Sequence, residues 1–523
     1  MLVESILRDL YGSVADVLVG KRIADKYIHY VPYNTEKVVD LLYRAIAKNG
    51  TIVVHADIDT DGFGSAYVFS KYVKCINPNV NIITMTNKVK EHGISKAFVE
   101  YLNNANTKID LVVVLDSSTN NIEELKGLNY DAVVIDHHEV LCSLAELSGS
   151  TSFGQYAIAT NMAGDDIDEK LSGCAVLFYV LENMIKMKDI RVDTSNLNLE
   201  QWVGITLISD VIQLATERNQ YFIEKLYNAN SIETGLLSMM ESLNIKKIDK
   251  NLVAYKIAPF VNSTIRGGGA LIALQTIMVK QSELSKLREY KDYQDKLVKF
   301  TLNSGNVQEF DGLVTMDIGK MGLDNNLASN YCGVVAAALV KKYGKSAYVY
   351  LEYENMYKGS VRGLSSNEDY RQKCEDAGFK AMGHKAAFGL EVPKELYSKL
   401  PEIMGIFKSQ NNRYISIGQQ KGGIKHIECI EQLKEGGNLM LLAVANSRLS
   451  SNETLEVHTD LVNTENEVVG KATKYKLGTL ELISFDELVP GGICIYPEFS
   501  NFGVSLYTSN IKDNIENVGG NAI

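Results

Sequence analysis

Three short apolar runs between residues 50 and 140 each lead directly into acidic residues or histidines. The runs cover residues 52–54, 111–115 and 132–135, and stretches with a helical pattern lie among them. Runs that are apolar at every position are typical of parallel strands buried on both faces of a sheet. The pattern therefore predicts a doubly wound α/β domain, followed by a helical region from about residue 171 to 242.

The length of 523 residues corresponds to roughly three to four domains. The residue pattern predicts an α/β domain over 1–235 and a helical connector over 236–305, in which residues 270–300 form one or two long helices. A smaller α/β domain over 306–410 and a mainly-β domain over 411–523 complete the expected architecture. We expect the last domain to be either OB-like or a docking module.

Composition excludes several classes of protein. Hydrophobic residues make up 46% and charged residues 22%, the balance of a globular chain rather than of a disordered or fibrous one. The net charge of −11 argues mildly against coating of nucleic acid by bulk charge. No apolar run approaches the roughly 20 residues that span a bilayer, and the seven cysteines include no CxxC pair. We therefore expect a cytoplasmic protein with reduced thiols, no membrane association and no cysteine-based zinc site.

The first apolar run continues into the motif His55-Ala-Asp57-Ile-Asp59-Thr-Asp61-Gly62. Alternation along an extended segment would put all four ligand-type side chains on one side of it. Open α/β sheets bind ligands at the carboxyl ends of their strands. The motif thus predicts a metal-binding site, and the alternative is a solvated acidic turn with a hydrogen-bonded histidine.

The other two runs end in the same kinds of residue. Asp116 follows residues 111–115, and Asp136-His137-His138 follows residues 132–135. One such aspartate is frequently only a helix cap, but three neighbouring strand ends of this kind are harder to explain in that way. Two carboxylates 5 Å apart repel by roughly 3 kcal/mol at an effective dielectric constant near 20, so five or six of them need cations. Oxygen ligands with a few imidazoles favour a pair of Mn²⁺ or Mg²⁺ ions over a structural zinc.

These motifs resemble the first three motifs of the DHH phosphoesterase superfamily. Residues 55–61 fit the HxxxDxD form of the superfamily, and residues 57–62 fit the DxDxDG form of RecJ-type nucleases. The fourth family motif, an aspartate inside a helical segment, corresponds to Asp210. Without the resemblance, Asp210 would be interpreted as a partly exposed helix residue.

The resemblance implies roles for individual residues. Asp116 would bridge two metal ions, His138 would face the substrate phosphate, and Asp136 would belong to the ligand shell or hold an imidazole. Three of the ligands would lie on one side and three on the other, with the exact division between the two ions left open: His55, Asp57 and Asp59, and Asp61, His137 and Asp210. The implied metal ligands are His55, Asp57, Asp59, Asp61, Asp116, His137 and Asp210. The implied catalytic residues are Asp136, His137 and His138.

A second set of motifs lies in the expected smaller α/β domain. Residues 383–389 resemble the GGHxxAAG signature of the DHH-associated C-terminal domain, and Arg362 matches an arginine that grips the substrate phosphate in that family. Glycine amides and an arginine fork suit a phosphate. The match departs from the family pattern at Met382, Phe388 and Gly363. The implied substrate-binding residues are Arg362, Gly383, His384 and Gly389.

Residues 257–267, in the expected connector, resemble the IGPRINAAGR segment that is characteristic of RecJ. The resemblance implies that Asn262 and Arg266 contact DNA phosphates. The alternative is a glycine-rich connector with one surface arginine.

The fold expected from these motifs is an α/β, two-lobed DHH phosphoesterase with a doubly wound parallel-sheet N-terminal lobe, a smaller α/β C-terminal lobe and an added mainly-β domain. A strand of DNA would thread the cleft between the lobes. The implied activity is hydrolysis of single-stranded DNA from the 5′ end to mononucleotides with Mn²⁺ or Mg²⁺. Replication or repair proteins would bind through the C-terminal domain. Two alternatives are a phosphodiesterase for short oligonucleotides or cyclic dinucleotides, and a non-catalytic scaffold for DNA or replication proteins.

Overall fold

The chain forms two compact units in a computed structural model. The N-terminal unit comprises Ala24–Gly305 and Met321–Tyr331, and the C-terminal unit comprises Met1–Ile23, Asn306–Lys320 and Cys332–Ile523. Residues 1–23 thus group with the C-terminal unit, whereas the sequence-based division assigns them to 1–235. The four-part division itself stays a proposal. The residues that the structure describes are 2–21, 29–87, 92–228, 231–278, 283–304, 306–322, 325–364, 369–404, 414–416, 438–449, 455–461, 466–469, 472–477, 480–484, 491–500 and 503–510.

The N-terminal unit is built on one six-stranded sheet. Its strands are β1 (Thr51–Ala56), β2 (Asn81–Met85), β3 (Leu111–Leu115), β4 (Ala132–Asp136), β5 (Ser148–Ser150) and β6 (Gln155–Thr160). The strand order is β2-β1-β3-β4-β6-β5, and every pair is parallel except β5 with β6. Strands β3 and β4 are buried at every position, as their unbroken apolar sequences predict. The doubly wound parallel sheet is therefore confirmed.

Helices follow the strands of this sheet and continue after it. Those of the N-terminal unit are α3 (Thr35–Ala47), α4 (Thr60–Ile76), α5 (Lys96–Asn103), α6 (Ile122–Lys126), α7 (Gly173–Met187), α8 (Glu200–Ser209), α9 (Glu217–Tyr227), α10 (Thr234–Ser242), α11 (Lys250–Leu252), α12 (Ala258–Arg266), α13 (Ala270–Met278) and α14 (Leu284–Asn303). The helices α13 and α14 thus fall where one or two long helices were expected. Most of the segment 257–267 is the helix α12, which agrees with the helical character expected over 236–305, and Pro259 lies in its first turn, where proline is tolerated.

A second six-stranded sheet forms part of the C-terminal unit. Its strands are β7 (Val307–Glu309), β8 (Leu313–Asp317), β9 (Ser346–Glu352), β10 (Met356–Arg362), β11 (Lys380–His384) and β12 (Ala387–Pro393), in the order β11-β12-β10-β9-β8-β7. Only β8 and β9 pair in parallel, joined through α15 (Asn325–Tyr343). Two short helices follow, α16 (Tyr370–Asp376) and α17 (Leu400–Met404). A second α/β region near residue 310 is thus present as predicted.

A third sheet confirms the mainly-β character of the C-terminal part. Its strands are β13 (Tyr414–Ser416), β14 (Glu456–Leu461), β15 (Asn466–Val469), β16 (Ala472–Leu477), β17 (Leu480–Ser484), β18 (Gly491–Ser500) and β19 (Gly503–Asn510), in the order β13-β14-β18-β19-β17-β16-β15. The helix α18 (Asn438–Arg448) packs on β18 and also contacts α1 (Leu2–Tyr11) and α2 (Ala15–Leu18). The guanidinium of Arg448 donates to the carbonyl of Val17. The chain's N-terminal helices are therefore fastened to this sheet through α18.

Among the residues that the structure describes, no helix has both the length and the apolar character needed to cross a bilayer.

Candidate metal centre

The functional residues of the N-terminal unit meet at the carboxyl ends of three adjacent strands. β1, β3 and β4 lie side by side in parallel, so their carboxyl ends share one edge of the sheet. Asp57 follows β1, Asp116 follows β3, and Asp136 is the last residue of β4. The topology therefore assembles residues that are distant in the sequence, as predicted.

One feature of the first motif differs from the prediction. Extended alternation does not reach Asp61, because α4 begins at Thr60. The carboxylate of Asp59 accepts a hydrogen bond of 2.9 Å from the amide of Gly62 and thereby caps the helix. Asp61 consequently lies in the first turn of α4. The helix start, rather than strand alternation, brings Asp61 towards the other ligands.

Seven of these side chains form three overlapping groups whose ligand atoms lie within 4.8 Å of one another. The Nε2 atom of His137 lies 3.4 Å from Oδ1 of Asp116 and 3.5 Å from Oδ2 of Asp210, so His137 belongs to two of the three groups. Asp210, expected inside a helix, is the residue that caps the carboxyl end of α8. The groups are Asp57, Asp59 and Asp116; Asp61, His137 and Asp210; and Asp116, His137 and His138.

Asp61 is held by the amino end of α7. Its two carboxylate oxygens accept hydrogen bonds of 2.7 Å from the amide of Gly173 and 3.0 Å from that of Cys174. Amides at a helix amino end are unpaired within the helix and attract anions. A Cβ atom on Gly173 would lie 2.3 Å from Oδ1 of Asp116, so only glycine fits here. Sequence reasoning missed Gly173, although Ser172-Gly173 carries a recognisable helix-start signal.

Asp57 is held by a segment that sequence reasoning also missed. The amide of Gly93 donates to one carboxylate oxygen at 3.0 Å, and Nδ1 of His92 lies 2.6 Å from the other. Burial opposes ionisation of Asp57, but His92 outweighs it and lowers the pKa of Asp57. The His92 side chain is 58% exposed, so it forms part of the solvent-facing edge of the site. An isolated histidine between β2 and α5 carries no motif that would have identified it.

Asp136 organises the Asp-His-His segment rather than joining a ligand group. Its carboxylate accepts hydrogen bonds from the amide and hydroxyl of Thr119 and from the amide of His137. The Nδ1 atom of His138 lies 2.7 Å from the same carboxylate. Of the two roles implied for Asp136, the geometry favours holding an imidazole. Burial opposes charge on His138, but Asp136 outweighs it and raises the pKa of His138 to about 10.

His55 lies at the margin of the site. Its ring is buried at the end of β1, with Nε2 3.2 Å from Oδ1 of Asn87 and its ring 4.6 Å from that of Phe98. His55 is outside the three ligand groups, although its buried Nδ1 atom accepts no hydrogen bond from the described residues. Burial lowers the pKa of His55, which favours the neutral ring that a metal requires. Its role as a ligand stays a proposal.

The carboxylates fit a divalent cation on their own chemistry. Oδ1 of Asp116 and Oδ2 of Asp210 are buried and have no hydrogen-bond partner among the described residues. Burial and the neighbouring carboxylates raise the pKa of both residues well above the usual value, and that of Asp61 to about 6. Buried carboxylates that repel one another and lack donors are stabilised by a hard cation. The oxygen-rich donor set with His137 suits Mn²⁺ or Mg²⁺.

The two connector residues lie in the N-terminal unit with the metal centre. Oδ1 of Asn262 accepts a hydrogen bond of 3.0 Å from the hydroxyl of Thr60, the first residue of α4. Asn262 therefore neighbours the helix start that carries Asp61. The guanidinium of Arg266 donates to Gln294 of α14 at 3.0 Å. Arg266 is thus partly engaged in packing, and its contact with DNA stays a proposal.

The remaining predicted substrate residues lie in the C-terminal unit, on the second sheet. Arg362 ends β10, and Gly383 and Gly389 lie in β11 and β12. These two strands form a hairpin in which Gly383 pairs with Phe388. The glycine-rich motif is therefore a β-hairpin rather than an open loop, and Gly383 adopts a positive φ of 131° within it. The side chain of His384 lies outside the described residues.

Comparison with known proteins agrees with this architecture. Residues 51–202 match the DHH family, N-terminal domain. A curated relative from Bacillus subtilis (strain 168), named "Putative SPbeta prophage-derived single-strand DNA-specific exonuclease YorK", is 23% identical over 413 residues, 70% of this chain and 68% of the relative.

Two solved structures are similar over 98% of this chain. RecJ from Thermus thermophilus in complex with Mn²⁺ has a TM-score of 0.71 at 15% identity, with 78% of that chain covered. RecJ from the same organism in complex with Mg²⁺ has a TM-score of 0.65 at 15% identity, with 75% covered. These similarities show that the fold is RecJ-like and confirm the fold class expected from the sequence.

Proposed function

We propose that this DHH/RecJ-like chain is a metal-dependent exonuclease that hydrolyses single-stranded DNA from the 5′ end and releases mononucleotides. The coarser part of this proposal, a phosphoesterase or nuclease, has the support of the DHH match and of the relative's name. Single-stranded DNA as the substrate, and the direction of digestion, rest on the resemblance to RecJ.

One observation carries the proposal: two ligand groups lie at the strand ends, and a third group that contains Asp116 and His137 links them. Asp57, Asp59 and Asp116 would hold one ion, and Asp61, His137 and Asp210 would hold the other. Asp116 also belongs to a group with His137, which suits the bridging role proposed for it. Two divalent ions so held would activate a water molecule and neutralise charge on the phosphoryl group.

The rest of the chemistry depends on the chain's own residues. His138 is 44% exposed, it belongs to one ligand group with Asp116 and His137, and Asp136 holds its Nδ1 atom. Asp136 raises the pKa of His138, which favours the cationic ring. We therefore assign His138 to the substrate phosphate, where it would stabilise the negative charge or protonate the leaving oxygen.

Hydrogen bonds fix the positions of Asp57, Asp61 and His137 before substrate arrives. Gly173 and Cys174 orient Asp61, Gly93 and His92 orient Asp57, and Leu171 accepts from Nδ1 of His137. Because Nδ1 of His137 carries the proton that it donates, Nε2 is the nitrogen that remains to bind a metal ion. Such preorganisation raises the rate because the ligands need not rearrange during the reaction.

The proposal is tested with single-stranded DNA labelled at either end, incubated with Mn²⁺. We expect mononucleotides to be released from the 5′ end, and Asp136→Asn to lower the rate by about 100-fold or more because His138 loses its counter-charge. Asp131→Asn is the matched control, since Asp131 lies just before β4, at the opposite end of that strand.

Three other results of this experiment would each support a different activity. Cleavage of a dinucleotide but not of the long strand would support the short-substrate phosphodiesterase. Binding of DNA without any hydrolysis would support the non-catalytic scaffold. Release from the 3′ end would keep the nuclease but reverse the proposed direction.

A further inference from the structure

Arg362 lies against a glycine of the helix α15. A Cβ atom built on Gly333 would be 2.7 Å from Nη2 of Arg362 and 3.4 Å from its Cζ atom. Gly333 is buried within the helix, and both residues belong to the C-terminal unit. The guanidinium therefore lies against α15 at Gly333, the one glycine of this helix.

The charge of Arg362 has no carboxylate partner among the residues that the structure describes. Its Nη1 atom donates to the carbonyl of Val361 at 2.8 Å, and burial is the one influence found on its pKa within that part of the chain. The residue is only partly exposed, and burial lowers the pKa of its guanidinium. A partly buried cation without an anion is costly to the fold, which points to a ligand that supplies the negative charge.

Glycine at position 333 is also unfavourable for the stability of the helix. Position 333 lies well inside a helix of 19 residues, where alanine is more favourable than glycine. The atoms that an alanine methyl group would meet first belong to the end of the flexible Arg362 side chain rather than to backbone. The fold itself could therefore accommodate alanine by moving Arg362.

We propose that Gly333 is a positioning residue that seats the Arg362 guanidinium so that its free edge binds a phosphate group of the nucleic-acid substrate. This inference rests on the proposed function for the identity of the substrate, but the position of the guanidinium does not depend on it. Gly333 itself does not contact the substrate. It acts by leaving space against α15 for the guanidinium of Arg362.

The test compares Gly333→Ala, Arg362→Ala and the double variant. Binding of a labelled single-stranded DNA is measured by fluorescence anisotropy in EDTA, where hydrolysis does not occur. We expect Gly333→Ala and Arg362→Ala each to weaken binding by about tenfold, and the double variant to lose no more than Arg362→Ala alone. The midpoint of thermal unfolding of Gly333→Ala should equal or exceed that of the wild type, because its helix propensity improves.

Gly127→Ala is the matched control for the added methyl group. There the new Cβ would find its nearest neighbour, the carbonyl oxygen of Glu124, at 3.4 Å. Binding of DNA by this variant should equal that of the wild type.

A crystal structure of Gly333→Ala gives a readout independent of the substrate. Displacement of Arg362 from α15 supports the proposal, and an unmoved guanidinium overturns it. Wild-type affinity of Gly333→Ala for DNA, combined with weakened binding by Arg362→Ala, also overturns it. If the wild-type protein neither binds nor cleaves DNA, the proposed function fails, and titration with inorganic phosphate then decides whether Gly333 and Arg362 form an anion site.

Discussion

The candidate metal centre of the N-terminal unit and the Arg362 seat of the C-terminal unit, formed by Arg362, Val361 and Gly333, pose opposite electrostatic problems. The first gathers carboxylates that repel one another, and most of them are fixed by amides, hydroxyls or imidazoles. The second holds one cation by packing against a helix glycine and a single carbonyl. A cluster of like charges needs many hydrogen-bond donors or a cation, whereas the single charge of Arg362 needs space to lie against the helix and an anion to pair with. The two regions should therefore respond differently to substitution.

The largest effect is expected from Asp116→Asn, which separates metal binding from DNA binding. The variant removes the proposed bridging charge, and a loss of about 4 kcal/mol of transition-state stabilisation corresponds to about a thousandfold lower kcat/KM. Affinity for DNA at the Arg362 seat should not change. The variant should also melt at a higher temperature than the wild type in EDTA, because repulsion among buried carboxylates is relieved.

Steady-state kinetics, anisotropy and thermal unfolding in EDTA measure these three properties. A lower melting temperature of Asp116→Asn in EDTA would contradict the claim that this carboxylate is destabilising without a cation.

A second test adds a methyl group in each region. Gly173→Ala would force a Cβ atom towards Oδ1 of Asp116, and displacement of a ligand by about 1 Å lowers the rate by about 100-fold. Gly333→Ala moves a flexible side chain instead and should leave the affinity for Mn²⁺ intact. Isothermal titration with Mn²⁺ compares the two, and equal Mn²⁺ affinities would show that Gly173 does not shape the centre.

His92→Gln tests whether His92, which contacts the proposed ligand Asp57, contributes to the affinity for Mn²⁺. Asp57 would lose the imidazole at 2.6 Å, and loss of such an outer partner weakens metal affinity by about 10- to 100-fold. The exposed residue His29 provides the control His29→Gln. Mn²⁺ affinity is measured by titration, and an unchanged value for His92→Gln would show that His92 does not contribute to metal binding.

The smallest expected effect is on the pH dependence of stability. A carboxyl with a folded pKa of about 6 binds protons more tightly in the folded state than in the unfolded one, where its pKa is 3.8. Asp61 therefore favours folding at low pH and opposes it as the pH rises between about 4 and about 6.

The difference in melting temperature between Asp61→Asn and the wild type, measured in EDTA, should widen over this pH range in favour of the variant. In saturating Mn²⁺ the wild type should become the more stable protein above a pH of about 6, since the ion replaces the protons. A difference that does not vary with pH in EDTA would contradict the raised pKa of Asp61.

The sequence predicted much of the metal centre because its signals are local. Unbroken apolar runs identify parallel strands, and residues at their carboxyl ends must meet at one edge. The sequence alone therefore places Asp57, Asp116 and Asp136 together. Asp210 required the family resemblance, because nothing in its own neighbourhood relates the end of α8 to the sheet.

The rest could not be predicted because it depends on long-range packing. Gly173 matters only because α7 points its amino end at Asp61, and His92 only because its segment returns to Asp57. The role of Gly333 depends on an arginine 29 positions later in the chain, on a strand that packs against the helix. Spacing in the sequence contains no sign of such contacts.

The most direct test of the central claim is anomalous diffraction from crystals soaked in MnCl₂. We predict two peaks, one among Asp57, Asp59 and Asp116 and one among Asp61, His137 and Asp210. A single peak within the cluster would contradict the pair of ions while keeping the site. No peak at these strand ends, in crystals that bind Mn²⁺ elsewhere, would contradict the metal centre itself.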